Sequence, residues 1–246
     1  VSEVKLYLGD CLDILPTLGE VDVILTDLPY GTTACKWDEV IPFKPMWKQV
    51  KRICKGAFVT TADEPFTSFL VVSNVEMFKY KWNWNKVNRK TGHLDAKRKP
   101  LKVCEDICVF YVNRHIYNPQ MTQGKPYKAI SRGRKSNNYS KQKDGVVTEN
   151  KGFYYPLNQL NIKADERGTV GRIHPTQKPV ALYEYLVRTY TNPGNTVLDF
   201  CMGSGTTGVA CVQLGRNFIG IEKEPKYYEI AEKRIEEAQQ QLLLFT

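Results

Sequence analysis

The strongest chemical signal lies at Asp199-Phe200-Cys201-Met202-Gly203-Ser204-Gly205, a carboxylate followed by closely spaced glycines. Glycines at such a turn let the backbone approach a ligand, and a helix opening just after them offers free N–H groups. Glu222 follows 23 positions after Asp199, at the end of Asn-Phe-Ile-Gly-Ile-Glu, where a carboxylate can accept the two hydroxyls of a ribose. A nucleotide-like ligand is implied. Gly203 to Gly208 also satisfies G-x-G-x-x-G, so an NAD-binding dehydrogenase is a competing reading. Asp199 weighs against it, because a carboxylate before the glycines repels a pyrophosphate and suits a cationic group. A second cluster, Asp27-Leu28-Pro29-Tyr30, closes the apolar run Val21 to Thr26 and brings a carboxylate and a phenol together. Taken alone, Asp27 reads equally well as a turn cap after a strand.

The elements that must position these residues form two alternating strand and helix blocks. In the first, Val4 to Gly9 reads as a strand, Cys11 to Leu18 as a short helix or turn, and Val21 to Thr26 as a buried strand. Phe43 to Lys55 has apolar residues at helical spacing and stops at Gly56, before the strand Ala57 to Ala62. In the second, Val180 to Tyr190 is a helix, Thr196 to Phe200 a buried strand, and the glycine loop opens a helix ending near Gly215. Asn217 to Glu222 is a further strand, and Pro225 starts a long polar helix. Alternation of this kind predicts an α/β fold with a doubly wound, mostly parallel sheet of Rossmann-like type. Between the blocks, Lys79 to Val87 and Asp106 to Val112 look like strands, with Trp82 and Trp84 on one face as core residues. Residues 113–172 have little periodicity, which suggests a functional insertion. The expected organisation is a catalytic domain over 1–112 and 173–246 and an inserted region over 113–172.

Charge is uneven. From Lys81 to Lys143 there are sixteen Lys/Arg against Asp95, Glu105 and Asp106, a local balance of +13 that leaves −4 for the rest of a chain whose total is +9. A basic segment on a mildly acidic body is the footprint of phosphate neutralisation. The seven cysteines are scattered with no CxxC pair, which indicates reduced packing residues and neither a disulfide framework nor a metal site. No apolar run reaches about 18 residues and the start lacks the regions of a secretory signal, so a soluble, cytoplasmic, nucleoid-associated protein is expected, with no membrane partner.

Asp27-Leu28-Pro29-Tyr30 resembles the signature of the amino-methyltransferases, (Asp/Asn/Ser)-Pro-Pro-(Tyr/Phe), with Leu28 in the first proline's place. The order of tetrapeptide, basic segment and glycine loop is similar to that of the β-class of this family of DNA methyltransferases. The resemblance covers nearly the whole chain: Gly9-Asp10, His174-Pro175-Thr176-Gln177-Lys178-Pro179, Asp199 to Thr207 and Glu222 fall on family motifs, with Phe200-Cys201 where Pro-Phe is usual. It implies S-adenosylmethionine (SAM) as cofactor, held by Asp10, Cys11, Asp27, Thr176, Lys178, Asp199, Phe200, Cys201, Gly203, Ser204, Gly205, Thr206, Glu222 and Lys223. It implies catalysis by Asp27, Leu28, Pro29 and Tyr30. The Asp27 carboxylate and Leu28 carbonyl would accept the two N–H bonds of an exocyclic amine, Pro29 would stiffen the turn, and Tyr30 would stack on a base flipped out of the duplex. Lys86, Lys125, Lys128, Arg132, Arg134 and Lys135 are the expected DNA contacts. Asp at the first position is the family's commoner adenine-N6 form, with cytosine-N4 as the runner-up. Duplex DNA is the expected partner, together with a second copy of the chain and a cognate restriction endonuclease. An inactive DNA-binding protein, and methylation of RNA or a protein glutamine, are the remaining alternatives.

Overall fold

The computed structural model describes residues 2–32, 38–131, 144–165 and 177–244. Eight strands form one sheet in the order β1 (Val4–Leu8), β12 (Asn217–Glu222), β11 (Thr196–Asp199), β2 (Val23–Asp27), β3 (Phe58–Ala62), β5 (Cys104–Phe110), β4 (Phe78–Asn85) and β10 (Gln159–Asn161). β5 runs antiparallel to β3 and β4, and the other pairings are parallel. The doubly wound, mostly parallel sheet expected from the sequence is therefore present.

Alternation along the strands divides the core between the two faces. Val23 and Leu25 point into a cluster with Leu182 and Leu186 of α4 (Val180–Tyr190), Ala210 of α5 (Thr206–Gln213) and Ile235 of α6 (Pro225–Leu244). Ile24, between them, points the other way, towards Met46 and Trp47 of α2 (Phe43–Ile53) and Leu70 of α3 (Phe66–Ser73). Period-two side chains on a strand covered on both faces produce the continuous apolar run seen in the sequence. In α2 the buried residues Met46, Trp47, Val50 and Ile53 make one stripe. At its last turn Arg52 donates to the Leu15 and Leu18 carbonyls at 2.6 and 3.0 Å, tying α2 to the turn after α1 (Cys11–Ile14). Trp82 and Trp84 are buried in the first cluster, as their spacing predicts.

Strands β1, β12, β11, β2 and β3 end on the same edge, and the order changes sense between β11 and β2. The crevice beyond the carboxyl ends at such a switch point is where ligands bind in open α/β sheets. Helix α3 was not anticipated, nor was strand β10, which returns residues 159–161 to the sheet beside β4. As a result the second compact unit spans Pro119–Leu157, shorter than the 113–172 insertion expected.

That unit contains β6 (Thr122–Gln123) paired with β9 (Phe153–Tyr154), and β7 (Tyr127–Ile130) paired with β8 (Val147–Asn150), both antiparallel. Residues 121–130 are all exposed. Among the described residues no helix is long and apolar enough to cross a membrane.

Candidate active site

A cavity of about 470 Å³ opens at the carboxyl edge of the sheet. Its described walls come from Gly9 to Leu12, Asp27 to Thr32, Asp38 to Pro42, Gln177 to Tyr183, Asp199 to Thr207 and Glu222 to Tyr227. Seven carboxylates line it (Asp10, Asp27, Asp38, Glu39, Asp199, Glu222 and Glu224) against two ammonium groups, Lys178 and Lys223. Among the described residues the acids outnumber the bases, a balance that suits a cationic ligand bearing hydroxyls better than an anionic pyrophosphate.

Asp27 is the last residue of β2, paired across to Thr61 of β3. Its Oδ1 accepts from the Tyr30 hydroxyl at 2.9 Å and from Thr61 Oγ1, and its Oδ2 accepts from Lys178 Nζ at 2.7 Å. Phe66 of α3 backs the Tyr30 ring, with centroids 5.3 Å apart and nearly parallel planes. Burial, and then the charges of Asp27 and Glu105, push the Tyr30 phenol well above its usual range, so it stays a donor. Asp38 accepts from the Gly31 and Thr32 N–H groups at 2.9 and 3.0 Å, which pins the chain just after Tyr30.

Lys178 is buried, 8% exposed, with Glu105 Oε2 3.5 Å from its ammonium and the Tyr30 ring centroid 5.4 Å away. Burial alone would strip its proton, but the carboxylates of Asp27 and Glu105 outweigh it and raise the pKa. Glu105 is pulled the other way. Its burial opposes ionisation, and Lys178 and Lys86 reverse that, holding the carboxyl below its usual range.

Asp199 ends β11, the strand next to β2. Its Oδ1 accepts from Thr26 Oγ1 at 2.7 Å and from the Cys201 N–H at 3.1 Å, and its Oδ2 from Thr207 Oγ1 at 2.5 Å. Burial pushes its pKa up to about 7 against the pull of these three donors, and the charge of Asp27 adds to the rise. Glu222 ends β12 and accepts from the Gly203 N–H at 2.8 Å and the Glu224 N–H at 2.9 Å, with burial raising its pKa. Asp10 caps α1 through the Leu12 N–H at 2.9 Å and pairs with Lys223 at 3.1 Å; the backbone bond is the larger cause of its lowered pKa. Gly205 has φ +78°, and a Cβ there would sit 2.9 Å from the Ala231 backbone, so the loop packs against α6 only because that side chain is missing.

A protein-family model described as DNA methylase matches residues 21–233, most of the chain. The chain belongs to the DNA methylase family. The type II methyltransferase M1.MboII of Moraxella bovis is 28% identical over 91% of this chain and 93% of its own. A crystal structure of the M1.HpyAVI–SAM complex superposes with a TM-score of 0.62 at 27% identity, covering 94% of this chain and 99% of that one. The cytosine-N4-specific PvuII DNA methyltransferase shares the fold, with a TM-score of 0.68 at 17% identity over 99% of this chain and 93% of that one.

In this methylase the tetrapeptide and the glycine loop meet across one cavity although 173 positions separate Thr26 from its partner Asp199. Leu28, in the first proline's place, is buried at 3% exposure in the cluster with Phe66 and Met46, which accounts for an apolar side chain there. Phe200 turns into the core and stacks on Phe58, with centroids 6.2 Å apart, while Cys201 beside it is half-buried on the cavity wall with Cys11. Asp10, Cys11, Asp27, Lys178, Asp199, Phe200, Cys201, Gly203, Ser204, Thr206, Glu222 and Lys223 line the cavity, as do Leu28, Pro29 and Tyr30. Gly205 supports the loop from behind.

Lys178, expected among the cofactor contacts, lines the cavity and is paired with Asp27 in a buried place where two carboxylates converge on it. Lys86, expected on DNA, is 6% exposed and its ammonium lies 2.5 Å from Glu105, so it faces no phosphate. Lys81 and Lys102 in the same basic stretch are likewise paired, with Asp106 and Asp63. Lys125 and Lys128 are exposed in the second unit. Thr176, Arg132, Arg134 and Lys135 lie outside the described residues. Glu105, Thr61, Tyr183, Gln177 and Asp38 were missed. Glu105 had one available signal, the pair of acids Glu105-Asp106 opening a strand that is apolar from Ile107 onwards.

Proposed function

We propose that the protein transfers a methyl group from SAM to N6 of adenine in a specific duplex DNA sequence, acting on a base rotated out of the helix. The observation that carries this reading is the Asp27 carboxylate, fixed by three donors at the rim of a cavity whose lining is seven acids to two bases. The residues fit SAM. Glu222, at the end of β12, would receive the ribose hydroxyls, Asp10 and Lys223 would flank the adenosine end, and Asp199 would face the cationic methionine end. The cofactor supplies an electrophilic methyl group on a sulfonium.

The chain's own residues do the rest. An exocyclic amine is a poor nucleophile because its lone pair is delocalised into the ring. Asp27 and the Leu28 carbonyl accept its two N–H bonds and turn the lone pair towards the methyl group. Tyr30, backed by Phe66, stacks on the extruded base. Asp27 is placed to receive the proton that the amine sheds. No cysteine nucleophile is required.

Sequence recognition falls to the 119–157 span, which carries the exposed Lys125 and Lys128 and, in its sequence, Arg132, Arg134 and Lys135. A two-stranded ribbon such as β7–β8 is of a size that the major groove admits. The type II naming of M1.MboII supports a cognate endonuclease, and the reading includes a second copy of the chain and a cytoplasmic location with the DNA. The test is incubation with tritiated SAM and mixed-sequence duplex DNA, followed by digestion to nucleosides. Label in N6-methyladenosine is the expected outcome. Label in N4-methylcytosine would retain the mechanism and overturn the base, and no label with SAM binding intact would overturn the reading.

A further inference from the structure

Four charged side chains make a continuous line behind the tetrapeptide: Lys86, Glu105, Lys178 and Asp27, alternating in sign. Lys86 Nζ is 2.5 Å from Glu105 Oε1, Lys178 Nζ 3.5 Å from Glu105 Oε2, and Lys178 Nζ 2.7 Å from Asp27 Oδ2. The side chains of Lys86, Glu105 and Lys178 are 7%, 13% and 8% exposed, so water does little to screen them. The backbone fixes both outer members. Lys86 donates its N–H to the Val103 carbonyl at 2.9 Å beyond the β4–β5 ladder, and Asp27 pairs with Thr61. Glu105 Oε2 is buried with no hydrogen-bond partner, so its interaction with Lys178 is one of charge.

We infer that Glu105 is a positioning residue for methyl transfer: shared between Lys86 and Lys178, it takes up part of the Lys178 charge and leaves Asp27 a strong acceptor for the amine. The inference rests on Asp27 being that acceptor. Without the Glu105 charge, two buried ammonium groups face one carboxylate. Lys178 then commits fully to Asp27 and competes with the substrate amine for it. The line is neutral as built, and it becomes neutral again if Lys86 and Glu105 are discharged together. A simple stabilising ion pair would not give that recovery in turnover.

The groups facing Asp27 are Tyr30 from its own loop, Lys178 from the segment before α4, Tyr183 from α4, Glu105 from β5 and Asp199 from β11. Removing one negative charge from this set is expected to move the acidic limb of kcat down. Removing the Lys86 charge moves it up.

The experiment measures kcat against pH with duplex DNA at saturating SAM for Glu105→Gln, Lys86→Met, the double variant and Asp27→Asn, with SAM affinity measured in parallel. Expected are a fall in kcat of about tenfold to a hundredfold for Glu105→Gln with SAM affinity held within about twofold, the acidic limb displaced downwards, and recovery of both in the double variant. If Glu105→Gln does not fold, the upward displacement in Lys86→Met carries the test. Glu105→Gln matching the parent in kcat and pH profile while Asp27→Asn is inactive would overturn the inference alone, as would a double variant no faster than Glu105→Gln. Turnover retained in Asp27→Asn would remove the acceptor reading and the inference with it.

Discussion

The carboxyl edge of the main sheet and the Pro119–Leu157 unit differ in how their polar groups are held. At the edge, Asp27, Asp199 and Glu222 each have their oxygens engaged by named donors, and Lys178 is buried between two carboxylates. In the smaller unit Tyr127, Ile130, Val147, Phe153 and Tyr155 are exposed, and the strands pair two by two. Chemistry on an amine needs acceptors fixed in direction, and burial fixes them. Reading a groove needs adaptable side chains at a wet surface. Two-stranded ribbons of this size are marginal by themselves.

Each region can be disturbed without the other. Asp27→Asn should lower the single-turnover methylation rate by about a thousandfold while SAM affinity stays within about twofold, since the acceptor is lost and the cofactor wall is not. A comparable loss of SAM binding would merge catalysis and cofactor holding into one function. Reversing Lys125 and Lys128 to Glu should weaken DNA binding by roughly a hundredfold at low salt and flatten the log–log salt slope by about 2, with SAM affinity unchanged. An unchanged slope would take those lysines off the phosphates. Gly205→Ala should cost about 2 kcal/mol, visible as a lowered midpoint in urea, because the new Cβ meets the Ala231 backbone. The smallest effect is a titration. Asp199, raised to about 7, becomes neutral as the pH falls, so affinity for cationic SAM should drop by about tenfold between about pH 8 and about pH 6, or about 1.4 kcal/mol. Asp199→Asn should be flat over that interval.

Sequence reading succeeds where burial imposes a period. The run from Val21 to Thr26 had to be a two-faced strand, and it carries Asp27 to the edge. Helix α4 matches its predicted bounds, Val180–Tyr190, because Leu182, Tyr183, Leu186 and Val187 leave no other register. Helix α3 escaped because Phe66 to Ser73 is apolar almost all round, with Phe69 and Val72 exposed, so its pattern marks no face. Strand β10 escaped because Gln159 and Asn161 are exposed and Leu160 alone is buried. Lys86 was misassigned for a related reason: a basic residue among many gives no sign of the acid it will meet, and Glu105 lies 19 positions away. Pairing between distant charges is written in the fold and not in local composition.

The pairing of β1 with β12 also bears on how the enzyme is made. The Glu3 N–H bonds to Asn217 across 214 positions, so β1 waits for β12 before it can join the sheet. Contacts this far apart close slowly. Asp10, just after β1, and Glu222, at the end of β12, come together only when that seam shuts, so the stretch of cavity wall they share forms late. On the proposed placement of the cofactor, SAM present during refolding should act on this closing step, trapping the joined sheet and slowing its reopening.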